Sequence, residues 1–191
     1  MAMHCLTFVT LQLAQLVFSR DVHVFFAETF DNSSWESRWV QVDLPGINGP
    51  AARFEWSAGD WFVNDSQRGL RTSTPLRHYA ASARFEKFSN RGKDLVLQFS
   101  VKHENEDLSL CAGGYVKLLH HDFDQSTFGG TAPYQIMFGP DICGYDVSVI
   151  HLIFNWKGRL LHRNPEISLD FDERDSKSHI YTLLLSPDST Y

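Results

Sequence analysis

The sequence reads CAGGYVKL over residues 111–118 and YQIMFGPDICG over residues 134–144. Each stretch joins a cysteine to a glycine-bearing turn and to a run of strand-forming residues. A disulfide between them would hold two strand ends together and gather four polar or aromatic side chains, Tyr115, Lys117, Tyr134 and Asp141. Aromatic rings beside hydrogen-bonding charged groups suit a sugar, which has apolar C–H patches and many hydroxyls. The two stretches predict a carbohydrate-binding site built on strands.

Short alternating or apolar runs recur along the rest of the chain, and no segment after residue 20 shows the helical period. This pattern predicts an all-β fold, an antiparallel β-sandwich. The predicted strands are 22–26, 39–41, 53–56, 70–72, 79–85, 95–102, 115–119, 134–138, 149–156, 159–162 and 180–186. A tight hairpin is predicted at Trp156–Arg159.

The bulk composition is that of a globular protein, with 191 residues of which 43% are hydrophobic and 21% charged. The length suits one domain. The net charge of −6 and the lack of a basic stripe make a general nucleic-acid partner unexpected.

The N-terminus carries an apolar run, Leu6–Phe18, that is too short to cross a bilayer. Val17 and Ser19 fill the positions that signal peptidase reads by size. We interpret residues 1–19 as a cleaved secretory signal and residues 20–191 as the mature chain; the alternative is a buried N-terminal helix or strand. No other stretch is long enough for a transmembrane helix.

The chain has three cysteines, and two remain if cleavage of the signal peptide removes Cys5. Two cysteines in an oxidising lumen predict one disulfide, Cys111–Cys143.

Alternation along an extended chain places Tyr115 and Lys117 on one face and turns Val116 and Leu118 towards the core. The alternative is an ordinary solvated strand face. Strict alternation does not put Tyr134 and Met137 on one face, so both line a site only if the strand bulges or the ligand reaches round its end. Asp141 follows a Gly-Pro turn and is expected to be exposed, as an acceptor for sugar hydroxyls.

Two other clusters contain side chains that can bind metal ions. His120 and His121 precede Asp122, but adjacent side chains on an extended chain point in opposite directions, so we expect a solvated loop and not a metal site. The acidic residues within 170–175 lack the glycine and closing glutamate of an EF-hand loop. No motif pairs a nucleophile with a base, so the sequence predicts binding and not an enzyme.

The same residues resemble the calreticulin and calnexin family of lectin chaperones. The resemblance covers about residues 22–191. The stretches that carry it are 28–30, 37–39, 88–92, 101–104, 113–118, 134–144 and 179–183. It implies a legume-lectin-like (concanavalin A-like) β-sandwich and a chaperone of the endoplasmic reticulum lumen that binds monoglucosylated high-mannose N-glycans on folding glycoproteins.

The resemblance also implies roles for individual residues. Tyr115, Lys117, Tyr134 and Asp141 would hydrogen-bond the terminal glucose, and Met137 and Ile153 would supply apolar contacts. Calcium is the implied cofactor, held through main-chain oxygens at positions that align with Thr29, Ser66 and Arg68. The implied partners are monoglucosylated N-glycans and unfolded glycoproteins.

Departures from the family pattern include Ala112, which replaces a glycine, and the divergent segment Leu44–Pro50. The proline-rich arm, through which luminal co-chaperones bind, the acidic tail and the closing strands are expected to lie beyond this sequence. In the family those strands add a carboxylate and a tryptophan to the sugar site and a side-chain ligand to the calcium. We therefore expect residues 20–191 to be the N-terminal portion of the lectin domain, with an incomplete sandwich and sugar site.

Two alternative functions remain open from sequence. One is a holdase that binds unfolded proteins independently of glycans. The other is a glycoside hydrolase on the same sandwich, which predicts two carboxylates roughly 5–10 Å apart across the Tyr115 face.

Overall fold

The computed structural model describes residues 22–43, 52–104, 111–144, 147–163, 166–169 and 175–191. The secondary structure there is one helical turn, α1 (Trp35–Arg38), one 3₁₀ turn (Gln125–Thr127) and twelve strands. The strands are β1 Trp39–Gln41, β2 Glu55–Ser57, β3 Gly69–Arg71, β4 Ala81–Ala83, β5 Leu95–Lys102, β6 Cys111–Gly113, β7 Val116–Leu118, β8 Ile136–Cys143, β9 Val147–Trp156, β10 Arg159–His162, β11 Ile167–Ser168 and β12 Ser178–Leu185.

The largest sheet is antiparallel, in the order β10-β9-β8-β6, with β7 also paired to β8 and β11 to β9. Strands β6 and β7 share β8 as partner: β6 lies along its end at 141–143 and β7 along its start at 136–138. The predicted hairpin connects β9 to β10. Lys157 and Gly158 both have positive φ, as a two-residue turn that follows the twist of the strands requires.

A second layer consists of β5 paired along its whole length with β12. The core lies between the two layers. Leu95, Tyr181 and Leu183 come from the β5–β12 layer and meet Ile136, Phe138 and Leu152 of the large sheet. Two antiparallel sheets that enclose one apolar core form a β-sandwich, which confirms the predicted all-β class.

Alternation in β5 follows the sequence pattern. Leu97, Phe99 and Val101 pack against the core, whereas Val96 is 58% exposed. The outward face of this strand is therefore solvated in the described part of the chain, as the polar residues at its alternate positions predict.

An aromatic cluster joins the N-terminal segment to the small β1–β4 sheet. The ring of Phe26 lies 5.8 Å from that of Trp39 and 5.2 Å from that of Phe85. Glu28, with its side chain only 6% exposed, accepts hydrogen bonds from Arg38 at 2.8 Å and from the indole of Trp39 at 3.1 Å. The segment is thus fixed by rings and one buried carboxylate.

The strand prediction at 22–26 is wrong, because this segment has no strand pairing and its residues are exposed. It attaches through side chains instead; Phe25, for example, stacks on Phe88 at 4.4 Å. Strands β6 and β11 were not predicted, while the other predicted strands form with ends shifted by a few residues at most, except that β8 runs five residues further. The proposed signal peptide and the divergent segment at 44–50 lie outside the described residues.

None of the helical residues that the structure describes forms a helix long and apolar enough to cross a membrane.

Candidate carbohydrate-binding site

The site begins at the disulfide between β6 and β8. Cys111 and Cys143 are directly opposed in the strand pairing and their sulfurs are bonded, as predicted. Two residues along, Gly113 lies opposite Asp141. The disulfide therefore fixes the strand ends that carry the carboxylate.

The chain changes from β6 to β7 by passing close over β8. The amide of Gly114 donates to the carbonyl of Pro140 at 3.1 Å. A Cβ on Gly139 would lie 2.1 Å from the carbonyl oxygen of Gly114 and 3.1 Å from Cα of Tyr115. Only a glycine at position 139 admits this close crossing.

The crossing places the Tyr115 hydroxyl beside Asp141. Tyr115 is 40% exposed, and its hydroxyl and Oδ1 of Asp141 lie 3.2 and 3.4 Å from the position of a Cβ on Gly113. Partial burial, reinforced by the negative charge of Asp141, raises the pKa of Tyr115 to about 12. The phenol therefore stays a neutral hydrogen-bond donor throughout the physiological pH range.

A histidine holds the same carboxylate from its other side. Nε2 of His151 lies 3.0 Å from Oδ2 of Asp141, and Nδ1 lies 3.3 Å from Oε1 of Glu166. The His151 ring is also 5.9 Å from that of Tyr115. Asp141 is thus oriented by two side chains that converge on it, while it stays partly exposed.

A row of cross-strand neighbours extends the site along the sheet. Lys117 of β7 lies opposite Met137 of β8, which lies opposite Ile153 of β9. Met137 is half-buried, whereas Ile153, its neighbour in the row, is only 6% exposed. The row offers a ligand one cation and an apolar thioether side by side.

Lys117 is held by groups of the loop before β8. Its ammonium donates to the carbonyl of Gly130 at 3.1 Å and lies 5.0 Å from the centre of the Tyr134 ring. Burial lowers the pKa of Lys117 from its ordinary value. A partly desolvated ammonium gains more from a ligand oxygen than an exposed one does, because less water competes for it.

Tyr134 reaches the site from outside the strand. Strand β8 begins at Ile136, so the alternation that separated Tyr134 from Met137 does not apply to it. The ring of Tyr134 lies beside the ammonium of Lys117, and Lys117 lies opposite Met137, so the three side chains form one group. The structure therefore places five of the six predicted sugar ligands on one accessible surface, with the largely buried Ile153 next to Met137.

His151 and Glu166 were missed from the sequence. His151 lies opposite Gly139 and two residues before Ile153, on the same face of β9. Period-two alternation from Ile153 would have found it. No comparable pattern in the sequence predicts Glu166, because its position beside His151 depends on the pairing of β11 with β9.

Two of the segments that carry predicted calcium ligands meet at one tryptophan. The indole of Trp56 donates to the carbonyl of Phe30, next to Thr29, at 2.8 Å, and the Arg68 guanidinium lies 4.7 Å from the centre of its ring. The Ser66 carbonyl accepts from the Arg68 amide at 3.1 Å and retains a second lone pair. Carbonyl oxygens are donors that Ca²⁺ prefers, so the chemistry of these groups suits this ion, which takes six to eight ligands.

The histidine pair departs from the expected geometry. The amide of Phe123 donates to the carbonyl of His120 at 3.1 Å, so residues 120–123 form a turn and not an extended chain. The two imidazole rings consequently lie 4.6 Å apart instead of pointing in opposite directions. The prediction of divergent side chains is wrong, while that of a solvent-exposed loop is confirmed.

The model of the Calreticulin family matches residues 26–191. The chain belongs to the calreticulin family. This confirms the resemblance carried by the strands around Tyr115 and Asp141.

Calreticulins from distant organisms are similar to this chain. Calreticulin of Dictyostelium discoideum is 48% identical over 168 residues, which cover 88% of this chain and 38% of that protein. Calreticulin of Rattus norvegicus is 44% identical over 174 residues, which cover 90% and 40%. The chain spans about two fifths of the length of the curated calreticulins it matches.

A solved structure supports the fold. The globular domain of T. cruzi calreticulin superposes with a TM-score of 0.72 at 34% identity, covering 86% of this chain and 59% of that one. The concanavalin A-like sandwich predicted for the calreticulin family is therefore confirmed. The roles of single residues in binding sugar or calcium stay predictions.

Proposed function

We propose that this chain carries the glycan-recognition surface of a lectin chaperone, which binds monoglucosylated high-mannose N-glycans on folding glycoproteins. The observation that supports this most directly is the placement of Tyr115 beside Asp141 near the disulfide, with Lys117, Met137 and Tyr134 further along the same sheet. Donors, an acceptor and apolar surface lie together on a rigid sheet, as recognition of a sugar requires.

Binding would divide the glucose between these groups. The Asp141 carboxylate accepts from sugar hydroxyls, and the ammonium of Lys117 donates to a ring or hydroxyl oxygen. The neutral phenol of Tyr115 can turn its hydroxyl to either role. Met137 and the ring of Tyr134 cover apolar C–H groups of the sugar.

This mechanism is recognition without chemistry. Each hydrogen bond to a sugar replaces one to water, so the net affinity is modest, about micromolar. Discrimination is stronger than affinity, because a ligand that lacks one hydroxyl leaves a group of the site unpaired at about 1–3 kcal/mol.

Calcium would serve the fold rather than the sugar. The carbonyls of Thr29, Ser66 and Arg68 would hold the ion, with additional oxygen ligands from elsewhere. A bound Ca²⁺ would tie the N-terminal segment to the turn at 64–68, two segments that are otherwise linked through Trp56.

The secretory signal proposed at residues 1–19 and the disulfide Cys111–Cys143 support a location in the lumen of the endoplasmic reticulum. There the partners would be unfolded glycoproteins, with luminal co-chaperones recruited by a proline-rich arm outside this sequence.

The hydrolase alternative gains little from the site. Glycosidases flank the scissile bond with two carboxyl groups. Here His151 lies between Asp141 and Glu166, with a ring nitrogen near each. An imidazole thus occupies the space in which a glycosidic bond would have to lie.

Calorimetric titration of the full-length protein with a monoglucosylated mannose oligosaccharide, in the presence of calcium, tests the proposal. We expect saturable binding that Lys117→Ala abolishes without a change in melting temperature. Lys157→Ala is the matched control, because Lys157 lies on the β9–β10 turn over the ring of Trp156. Well-folded wild-type protein that fails to bind would reject the lectin function and favour a glycan-independent holdase.

A further inference from the structure

An exposed turn directly before α1 carries a motif that the proposed sugar site does not use. Asn32-Ser33-Ser34 is an Asn-x-Ser sequence whose middle residue is not proline, the motif that accepts N-linked oligosaccharides. All three residues are exposed. The motif therefore lies on the surface of the folded protein, which is where a bulky, hydrated glycan has room.

The contacts of the Asn32 side chain leave its nitrogen available. Its oxygen Oδ1 accepts a hydrogen bond from the amide of Ser34 at 3.0 Å and is also contacted by the Ser34 hydroxyl. The nitrogen Nδ2, to which an N-linked sugar is bonded, has no acceptor among the residues that the structure describes. A sugar on Nδ2 would displace only water and leave the contacts of Oδ1 in place, because a substituted amide keeps its carbonyl oxygen.

The turn is anchored on its side away from solvent. Trp35 follows Ser34 and is only 2% exposed, so it fixes the turn to the core. Nη1 of Arg38 donates to Oγ of Ser34 at 2.6 Å, and the Ser34 carbonyl accepts from the Ser37 hydroxyl at 2.7 Å. None of these contacts involves Nδ2 of Asn32. A glycan at this position would therefore break no contact that holds the turn.

We propose that Asn32 is modified with an N-linked oligosaccharide, an inference that rests on the luminal location given in the proposed function. The donor is an oligosaccharide joined through a diphosphate to a membrane polyisoprenol. Nδ2 bonds to the anomeric carbon of the first sugar, and the bond between that carbon and the diphosphate oxygen breaks. The diphosphate leaves with its lipid, and one proton of the side-chain amide is released. Transfer takes place on the entering chain, and the exposed turn allows the folded protein to retain the glycan.

Site-specific mass spectrometry of the full-length protein, produced with its own N-terminus in a eukaryotic cell, tests the modification. Enzymatic release of the glycan in ¹⁸O-labelled water converts a modified asparagine into labelled aspartate, which excludes spontaneous deamidation. The label also separates residue 32 from the second exposed motif, Asn64-Asp65-Ser66. We expect labelled aspartate at position 32 in the wild type and none at that position in Ser34→Ala, which keeps the acceptor but removes the hydroxyl of the motif.

Two matched variants separate recognition of the motif from other effects of substitution. Ser33→Ala changes the exposed neighbour of Ser34 and leaves the motif intact, and Ser34→Thr restores the hydroxyl. Both should carry the glycan at Asn32 as the wild type does. Loss of the glycan in Ser33→Ala, or its retention in Ser34→Ala, overturns the proposal.

Failure of this proposal is distinguishable from failure of the proposed function. An unmodified Asn32 in protein recovered from protease-protected microsomes overturns the modification alone. Absence of the protein from these microsomes overturns the modification together with the luminal location. Binding of the monoglucosylated oligosaccharide is measured separately, by calorimetry on enzymatically deglycosylated protein, and its outcome does not depend on the state of Asn32.

Discussion

The carbonyl oxygen of Gly114 occupies the place that a side chain on Gly139 would need. A Cβ at position 139 would lie 2.1 Å from that oxygen, closer than any non-bonded contact allows. The close approach lets β6 and β7 share β8 and sets Tyr115 above the middle of that strand. The geometry of the proposed sugar site thus depends on Gly139, a residue without a side chain.

Gly139→Ala should therefore destabilise the fold and disturb the sugar site together. The obstacle is backbone on a paired strand, which cannot rotate away, so we expect a loss of about 3 kcal/mol or more in the free energy of unfolding. Urea unfolding measures it. Gly69→Ala is the control, since nothing lies within 4 Å of a Cβ placed there. A loss at Gly139 no larger than that at Gly69 would contradict the close crossing.

Tyr115→Phe isolates the hydroxyl beside Asp141. The ring remains, but the site loses one hydrogen-bonding group, so the sugar should bind more weakly by about 1–3 kcal/mol with little change in stability. Calorimetry with the oligosaccharide measures this. Tyr79→Phe removes a hydroxyl that bonds the backbone of Thr74, away from the site, and should leave sugar affinity unchanged. Equal affinities for both variants would remove Tyr115 from the proposed ligands.

His151→Phe tests whether Asp141 needs its second support. Phenylalanine keeps an aromatic ring near Tyr115 but loses both ring nitrogens, which lie 3.0 Å from Asp141 and 3.3 Å from Glu166. An untethered carboxylate must be ordered when the sugar binds, so we expect an affinity lower by about 1 kcal/mol, or roughly fivefold. Ile150→Val, a change on the opposite face of β9, is the control. Unchanged affinity in His151→Phe would mean that Tyr115 alone positions Asp141.

The sequence was sufficient where local alternation decides the structure. The apolar face of β5 and the disulfide partners follow from period-two spacing and from the number of cysteines. The same spacing places Lys117 and Met137 on the faces where the structure has them, because both lie inside regular strands.

Features that depend on contacts between distant segments could not be predicted. Strand β6 is the short, glycine-containing sequence Cys111–Gly113, which has low strand propensity and forms because β8 pairs with it. The clash at Gly139 and the position of Glu166 likewise depend on how separate strands meet. The side chains of His120 and His121 do not diverge as an extended chain predicts, because a local turn brings them together.

The pair Glu28–Arg38 should give the fold a measurable dependence on acid. Hydrogen bonds from Arg38 chiefly, aided by the Phe30 amide and the Trp39 indole and opposed by burial, lower the pKa of Glu28 from 4.5 to about 2. A carboxyl whose pKa is lower in the folded state stabilises the fold above its unfolded pKa. This contribution is lost as the pH falls from about 4.5 towards 2.

Glu28→Gln should accordingly lower the free energy of unfolding at pH 7 by about 1.5–3 kcal/mol, because a charge-assisted bond to Arg38 is lost. At pH 2.5 the difference from wild type should shrink. The carboxyl of the unfolded wild-type chain is then protonated, so most of the stabilisation by the folded carboxylate is lost. Urea unfolding at pH 7, 4 and 2.5 measures the gap. Glu36→Gln, an exposed change on α1, should stay within about 0.5 kcal/mol of wild type throughout. A gap between wild type and Glu28→Gln that is the same at all three pH values would show that the lowered pKa of Glu28 does not contribute to stability.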